Sequence, residues 1–444
     1  MKHLNLKTMK TNRFLTIIMA SVMLISFGCK TSKTAVKTNQ NAFIKVEKGS
    51  FVKNKKAYTF IGANYWQGMN LGEPENGDQK RLMRELDQLQ ENGVTNLRVL
   101  AASEGDDDMK YAIHPALQTG PGEYNEDIWI GLDFLLSEMA KRNMTAVMVM
   151  GNFWTWSGGF PQYLKWAGQG DIPFPQDEPY TWQQFTDYSK LFYTNETAQK
   201  MMNNHLEKTI NRKNSITGTL YKNDPTIMSW QLSNEPRGYD VPDDYRKWTQ
   251  KTAAFIKNLD KNHMVCLGTE GNTPSDNAGI NVLKDNDNPN IDYITMHIWA
   301  QNWRWFKPTD GEAVFQEAIK KADSYWADHV AVAKKLNKPI VLEEFGIARD
   351  SSSFAIDAKT TWRDRFYKYV FEKTVKSIKD NAPVKGLNFW SYSGEGRPVR
   401  PGEFWKKGDT FLGDPPHELQ GWYGVYDKDK STLDIIKKSA KAIR

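Results

Sequence analysis

At 444 residues, with 39% hydrophobic and 25% charged positions, the chain has the composition of a protein with a large core, neither disordered nor fibrous. The net charge of +6 is modest for this length, and no compact basic stretch interleaved with aromatics stands out, which argues against nucleic acid as a partner. The 16 Trp, 18 Tyr and 21 Phe fill much of a core, but their flat apolar faces with polar edges also suit amphipathic ligands such as sugars.

In chain order, the first element is a targeting segment. Lys2, Lys7, Lys10 and Arg13 precede an apolar run over 14–27 that is too short to span a bilayer comfortably and is followed at once by polar sequence. Residues 1–28 are therefore expected to be a signal peptide. The run closes with Ser26-Phe27-Gly28-Cys29, which resembles a bacterial lipobox: Gly28 fits before the cysteine, while Ser26 stands where an aliphatic residue is usual. The expectation is an exported protein, lipid-anchored through Cys29 to the outer membrane, with the membrane face left open. Ordinary secretion with an incidental cysteine is the alternative. The Lys/Thr/Asn-rich stretch that follows makes 29–41 a flexible tether. Cys266 lies in an apolar run without a partner cysteine in the body of the protein, so stability must come from the core rather than from disulfides.

From residue 42 to 444, short apolar runs alternate with longer amphipathic or polar stretches. The expected strands are 58–63, 94–100, 145–150, 226–232, 264–269, 291–297, 339–344 and 384–390. A helix is clear over 79–91, where Leu82, Leu86 and Leu89 share one face and Asn92-Gly93 ends it. Eight such runs separated by helix-capable segments predict an α/β fold, a single (β/α)8 TIM barrel. A doubly wound sheet is disfavoured because no Gly-rich phosphate loop follows the first strand.

Such barrels draw their reacting groups from the C-terminal ends of several strands. Arg98 lies near the end of the second run, Asn152 and Trp154 past the third, and Asn234 and Glu235 past the fourth. His297 and Trp299 close the sixth, Glu344 the seventh and Trp390 the eighth. Two carboxylates with Asn, His and Arg, but no clustered His or Cys ligands, point to acid and nucleophile work without a metal or cofactor. Glycoside hydrolysis needs such a pair: one carboxyl protonated near neutral pH, the other ionised. Neighbours on a strand point to opposite faces, so periodicity leaves open which of Glu343 and Glu344 faces the cleft.

The segments Trp230-Gln231-Leu232-Ser233-Asn234-Glu235-Pro236-Arg237, Glu344-Phe345-Gly346, and Asn388-Phe389-Trp390 with Gly394-Glu395-Gly396-Arg397 resemble the retaining β-mannanases of glycoside hydrolase family 5. The resemblance runs over nearly the whole barrel. It implies hydrolysis of β-1,4-mannosidic bonds in mannan, with Glu235 as acid/base and Glu344 as nucleophile. Arg98, Asn234, His297 and Trp390 match residues that position the nucleophile and the sugar. Trp299 departs from the pattern, standing where many family members carry a tyrosine near the nucleophile. Trp154, Trp156, Trp303 and Trp305 sit in loops after strands, where indole faces suit sugar rings. The stretch 391–423 is long for a connection and is expected to wall one end of the cleft. An exo-acting mannosidase or β-1,4-glucanase on the same scaffold, and a sugar-binding lipoprotein with a dead site, are the alternative readings.

Overall fold

The structure, a computed structural model, describes residues 42–106 and 108–444. The signal peptide, Cys29 and the tether expected over 1–41 lie outside the described residues. Eight parallel strands carry the fold: β1 (Phe60–Asn64), β2 (Asn96–Leu100), β3 (Thr145–Val149), β4 (Ile227–Gln231), β5 (Met264–Cys266), β6 (Ile294–Ile298), β7 (Ile340–Phe345) and β8 (Val384–Phe389). Each lies inside, or within one residue of, the run expected for it. The helices α1 (Gln79–Glu91), α2 (Glu126–Lys141), α3 (Glu196–Ile210), α4 (Pro242–Leu259), α5 (Val282–Asn286), α6 (Glu312–Leu336), α7 (Thr361–Lys379) and α8 (Lys430–Ala442) follow the strands in turn. Sequential neighbours pair in parallel and β8 pairs with β1. The remaining seam, between β5 and β6, is bridged by the Asp292 N–H to Val265 O and the His297 N–H to Glu270 O, both 2.8 Å. The result is the (β/α)8 barrel, one domain over the described residues.

Helix α1 forms as its sequence dictates. Asp78 accepts from the Arg81 N–H at the N-terminus, and Leu82, Leu86 and Leu89 are buried along one stripe. Burial of each leucine contributes about 1.5–3 kcal/mol relative to leaving it exposed.

Inside the barrel, the pattern changes along the axis. The N-terminal ends of the strands point Phe60, Val147, Met228, Met264 and Val341 inward, in an apolar cluster with Tyr293. An antiparallel sheet over Lys45–Glu47, Ser50–Lys53 and Lys56–Ala57 adds Phe51 to that cluster, joined by Ile44 just before it, and so closes this end. Farther along the axis the inward residues become polar: Asn96 and Asn388 at mid-barrel, then Asn64, Arg98 and Gln231. Gly62 is required at this transition, since a Cβ there would meet the Asn388 side chain at 2.3 Å and the Asn96 carbonyl at 2.7 Å.

Strand β7 breaks the simple alternation. Its register against β6 shifts so that Met296 faces Leu342 but His297 faces Glu344, leaving Glu343 as an extra residue. This bulge turns two consecutive side chains toward the barrel axis. Phe345, next along, returns outward to pack on Phe366, Tyr367 and Phe371 of α7.

Candidate active site

A cavity of about 330 Å³ opens at the C-terminal ends of the strands, with Glu235 and Glu344 in its wall. An oxygen of each carboxyl and a ring nitrogen of His297 lie within 4.8 Å of one another. Of the two glutamates that sequence could not separate, Glu344 faces the cavity. Glu343 lies deeper on the axis, where its carboxyl accepts from Gln231 Nε2 at 2.5 Å.

Each catalytic candidate sits in its own hydrogen-bond setting. Glu344 receives Arg98 Nη1 at 2.5 Å and Trp299 Nε1 at 3.2 Å. Arg98 is itself locked by Asn64, Gln231 and Asn234, with donor distances of 3.0, 2.9 and 2.7 Å. Glu235 receives Trp154 Nε1 at 2.7 Å on one oxygen and stands 2.7 Å from His297 Nδ1 on the other. It follows β4 with a positive φ of 47°, a left-handed conformation uncommon for glutamate, and its N–H bonds the Gly268 carbonyl at 2.8 Å.

Burial pushes Glu235 above the ordinary carboxylate range, with Arg237, the Trp154 indole and Arg98 pulling it back in part. Burial also lifts Glu344, Arg98 opposes this, and the charge on Glu235 adds to the lift. Two carboxyls this close resist double ionisation, so the pair keeps a proton to higher pH than an isolated carboxyl would. The direct Arg98 contact favours the charge on Glu344 and the proton on Glu235. His297, buried beside Arg98, has its pKa driven well below the usual histidine value and is neutral. A spacing under about 5.5 Å, one acid and one anion, leaves no room for a water between carboxyl and anomeric carbon and suits double displacement at an acetal.

Among the described residues, Glu235, His297 and Glu344 form the one group that could share a metal ion. The guanidinium of Arg98 lies against Glu344 and places a fixed positive charge beside that carboxyl.

The residues expected at the site are all at this end of the barrel, but in two layers. Glu235, Glu344, Asn234, Trp154, Trp299 and Trp390 line the cavity. Arg98, Asn152 and His297, expected to bind substrate, lie behind that lining, and each is at most 3% exposed. Asn152 accepts from the Trp154 N–H and from Asn234 Nδ2, so it sets the two loops that carry Trp154 and Glu235. Trp156 and Trp303 reach the cavity; Trp305 does not and packs on Trp303 and Tyr325. The 391–423 stretch does form a wall, through Pro415, His417 and Glu418. Glu418 was not singled out by sequence: one of its oxygens is buried without a partner, and burial with the neighbouring Asp414 charge raises its pKa well above the ordinary value. Trp182, Arg237, Tyr239 and Glu270 also line the cavity, with Arg237 paired to Glu270 at 2.6 Å.

Comparison with known proteins fits this geometry. A family model described as GH family 5 beta-mannosidase-like matches residues 41–444. The crystal structure of a glycoside hydrolase family 5 mannosidase from Rhizomucor miehei is similar at 39% identity and a TM-score of 0.84, covering 91% of this chain and 98% of that one. A variant of that mannosidase in complex with mannosyl-fructose is similar at 39% identity and a TM-score of 0.83, over 91% of this chain and 98% of that chain. The mannan endo-1,4-β-mannosidase 1 of Oryza sativa subsp. japonica is 30% identical over 423 residues, 90% of this chain and 86% of that protein.

Proposed function

The chain belongs to glycoside hydrolase family 5, and from that premise we propose that it cleaves β-1,4-mannosidic bonds of mannan by double displacement, as an endo-β-1,4-mannanase. Glu235 gives its proton to the glycosidic oxygen as the bond to the anomeric carbon breaks. Glu344 attacks that carbon from the opposite face and becomes the ester of a glycosyl-enzyme. Glu235, now ionised, takes a proton from water, whose oxygen displaces Glu344 and restores both carboxyls. Arg98 and the Trp299 indole hold the Glu344 charge in line for attack, and Trp154 and His297 fix the Glu235 carboxyl at the leaving group.

The observation that carries this reading is the close carboxyl pair with its opposed partners, Arg98 on one member and Trp154 with neutral His297 on the other. Its test is the product profile on linear β-1,4-mannan beside β-1,4-glucan, followed by NMR to determine the anomer released first. Mixed oligosaccharides from mannan, released as the β-anomer, support the reading, and Glu344→Ala should lose nearly all turnover while folding normally. Release from glucan alone, or of the α-anomer first, overturns it.

The wall of His417 and Glu418 favours a second reading, an exo-acting enzyme, because a closed end limits how many sugars reach past the cleavage point. A single small product from mannan would establish that instead. Export and lipidation at Cys29 belong to the same proposal, resting on the sequence before residue 42. Incorporation of a labelled fatty acid by the full chain, lost in Cys29→Ser, is the expected result.

A further inference from the structure

We infer that Trp182 is the platform for a sugar on the leaving-group side of the cleavage point, resting on the β-mannoside reading above. A chain of contacts leads from the nucleophile through the acid to Trp182. Glu344 lies 3.3 Å from His297, which touches Glu235, whose far oxygen receives Trp154. Beyond Trp154 stands Trp182, with ring centroids 6.1 Å apart at 83°. The acid's own side of the broken bond is where the departing chain must lie, so Trp182 borders the path of that chain and not of the glycosyl ester.

Trp154 cannot serve there itself. Phe185 stacks on it at 5.8 Å and 17°, and the Arg237 guanidinium lies over its ring at 5.0 Å. Trp182 is different: it lines the same cavity but remains 54% exposed. A single exposed aromatic is unremarkable by itself; an exposed indole braced by two other rings in the wall of the cavity that holds both glutamates is not. The bracing is explicit. Trp182 is the first residue of the helix Trp182–Ser189, whose start is fixed by a capping box between Thr181 and Gln184. Its ring is braced at 6.0 Å and 89° by Phe185 from the next turn. A preorganised indole presents apolar area to a sugar face at little entropic cost.

The test compares two substrates on the full-length enzyme: linear β-1,4-mannohexaose, which fills several leaving-group positions, and a nitrophenyl β-mannoside, which fills one. Trp182→Ala should lower kcat/KM for the hexaose about tenfold and lower that for the aryl mannoside severalfold less, since the aryl group covers only one of the leaving-group positions. Trp182→Tyr should retain most of the hexaose activity. The yield of transfer products with added mannobiose as acceptor should fall in Trp182→Ala relative to hydrolysis, since the acceptor enters by the same side. Equal losses on both substrates, or no loss on either, would overturn the assignment, and a thermal melt checks that the variants fold. If the unaltered enzyme cleaves neither substrate, it is the mannoside reading that fails, not the position of the platform.

Discussion

Trp299 shows how one residue's chemistry is preserved under a change of type. The family pattern puts a phenol near the nucleophile, and this chain has an indole. The Trp299 Nε1 donates to Glu344 at 3.2 Å, so the task of supporting the anion stays filled. The same ring is fixed edge-on to Trp390 at 5.8 Å and against Tyr423 at 5.2 Å, so its donor is not free to swing away. Trp299→Phe keeps an aromatic body but removes the donor. We expect kcat to fall roughly 10- to 100-fold, in the range of a lost hydrogen bond to a charged group, with the thermal midpoint changed little. Trp299→Tyr should recover a large part of that loss. A similar loss in both variants would make the indole a sugar contact rather than a support for Glu344.

At the scale of the element, β7 is where period-two reasoning stops working. Alternation allows only one of Glu343 and Glu344 to face inward, but the bulge between β6 and β7 turns both. A bulge is set by how two distant strands register, and no local pattern announces it. For the same reason the strands and α1 were legible, since each is written in its own hydrophobic period, whereas Trp182 and Glu418 were not. Both stand on long connections, and only tertiary packing brings them to the cavity. Arg98, Asn152 and His297 were found by their place at strand ends, but their depth behind the lining depends on side-chain direction across neighbouring strands.

The inward Glu343 carries a consequence that can be measured. Burial pushes its pKa from 4.5 up to about 7, with Arg98 and Gln231 opposing. The unfolded chain therefore releases this proton at lower pH than the folded one. The stability held by the protonated carboxyl is full below the unfolded value and is lost as pH rises through about 7. The shift corresponds to roughly 3 kcal/mol. Glu343→Gln, which cannot ionise, should lose less stability than the parent when urea midpoints are compared between pH 4.5 and 8. It should keep most of its turnover, because the proposed nucleophile is Glu344. Parallel pH profiles for the two proteins would mean that Glu343 is ionised in the folded state throughout.

Over the whole molecule, the barrel separates support from chemistry along its axis. The apolar cluster at the N-terminal ends of the strands meets Phe51 from the antiparallel sheet, whose ring stands edge-on to Tyr293 at 5.4 Å. The reacting groups lie at the opposite ends of the same strands. Among the described residues cysteine offers no reinforcement, since Cys266 is buried as a free thiol. Closure of this end therefore depends on packing. Phe51 is fully buried, and Phe51→Ala should cost about 3–5 kcal/mol through lost transfer energy and the cavity left behind. The urea midpoint should fall accordingly. In the folded fraction, kcat and KM on mannan should stay near the parent values, because Phe51 packs among apolar residues at the end of the barrel opposite Glu235 and Glu344. A midpoint near that of the parent would show that the sheet is not needed to close the barrel. A lowered kcat in fully folded protein would show that packing at one end reaches the carboxyl pair at the other, through the polar interior of Asn96, Gln231 and Arg98 that lies between them.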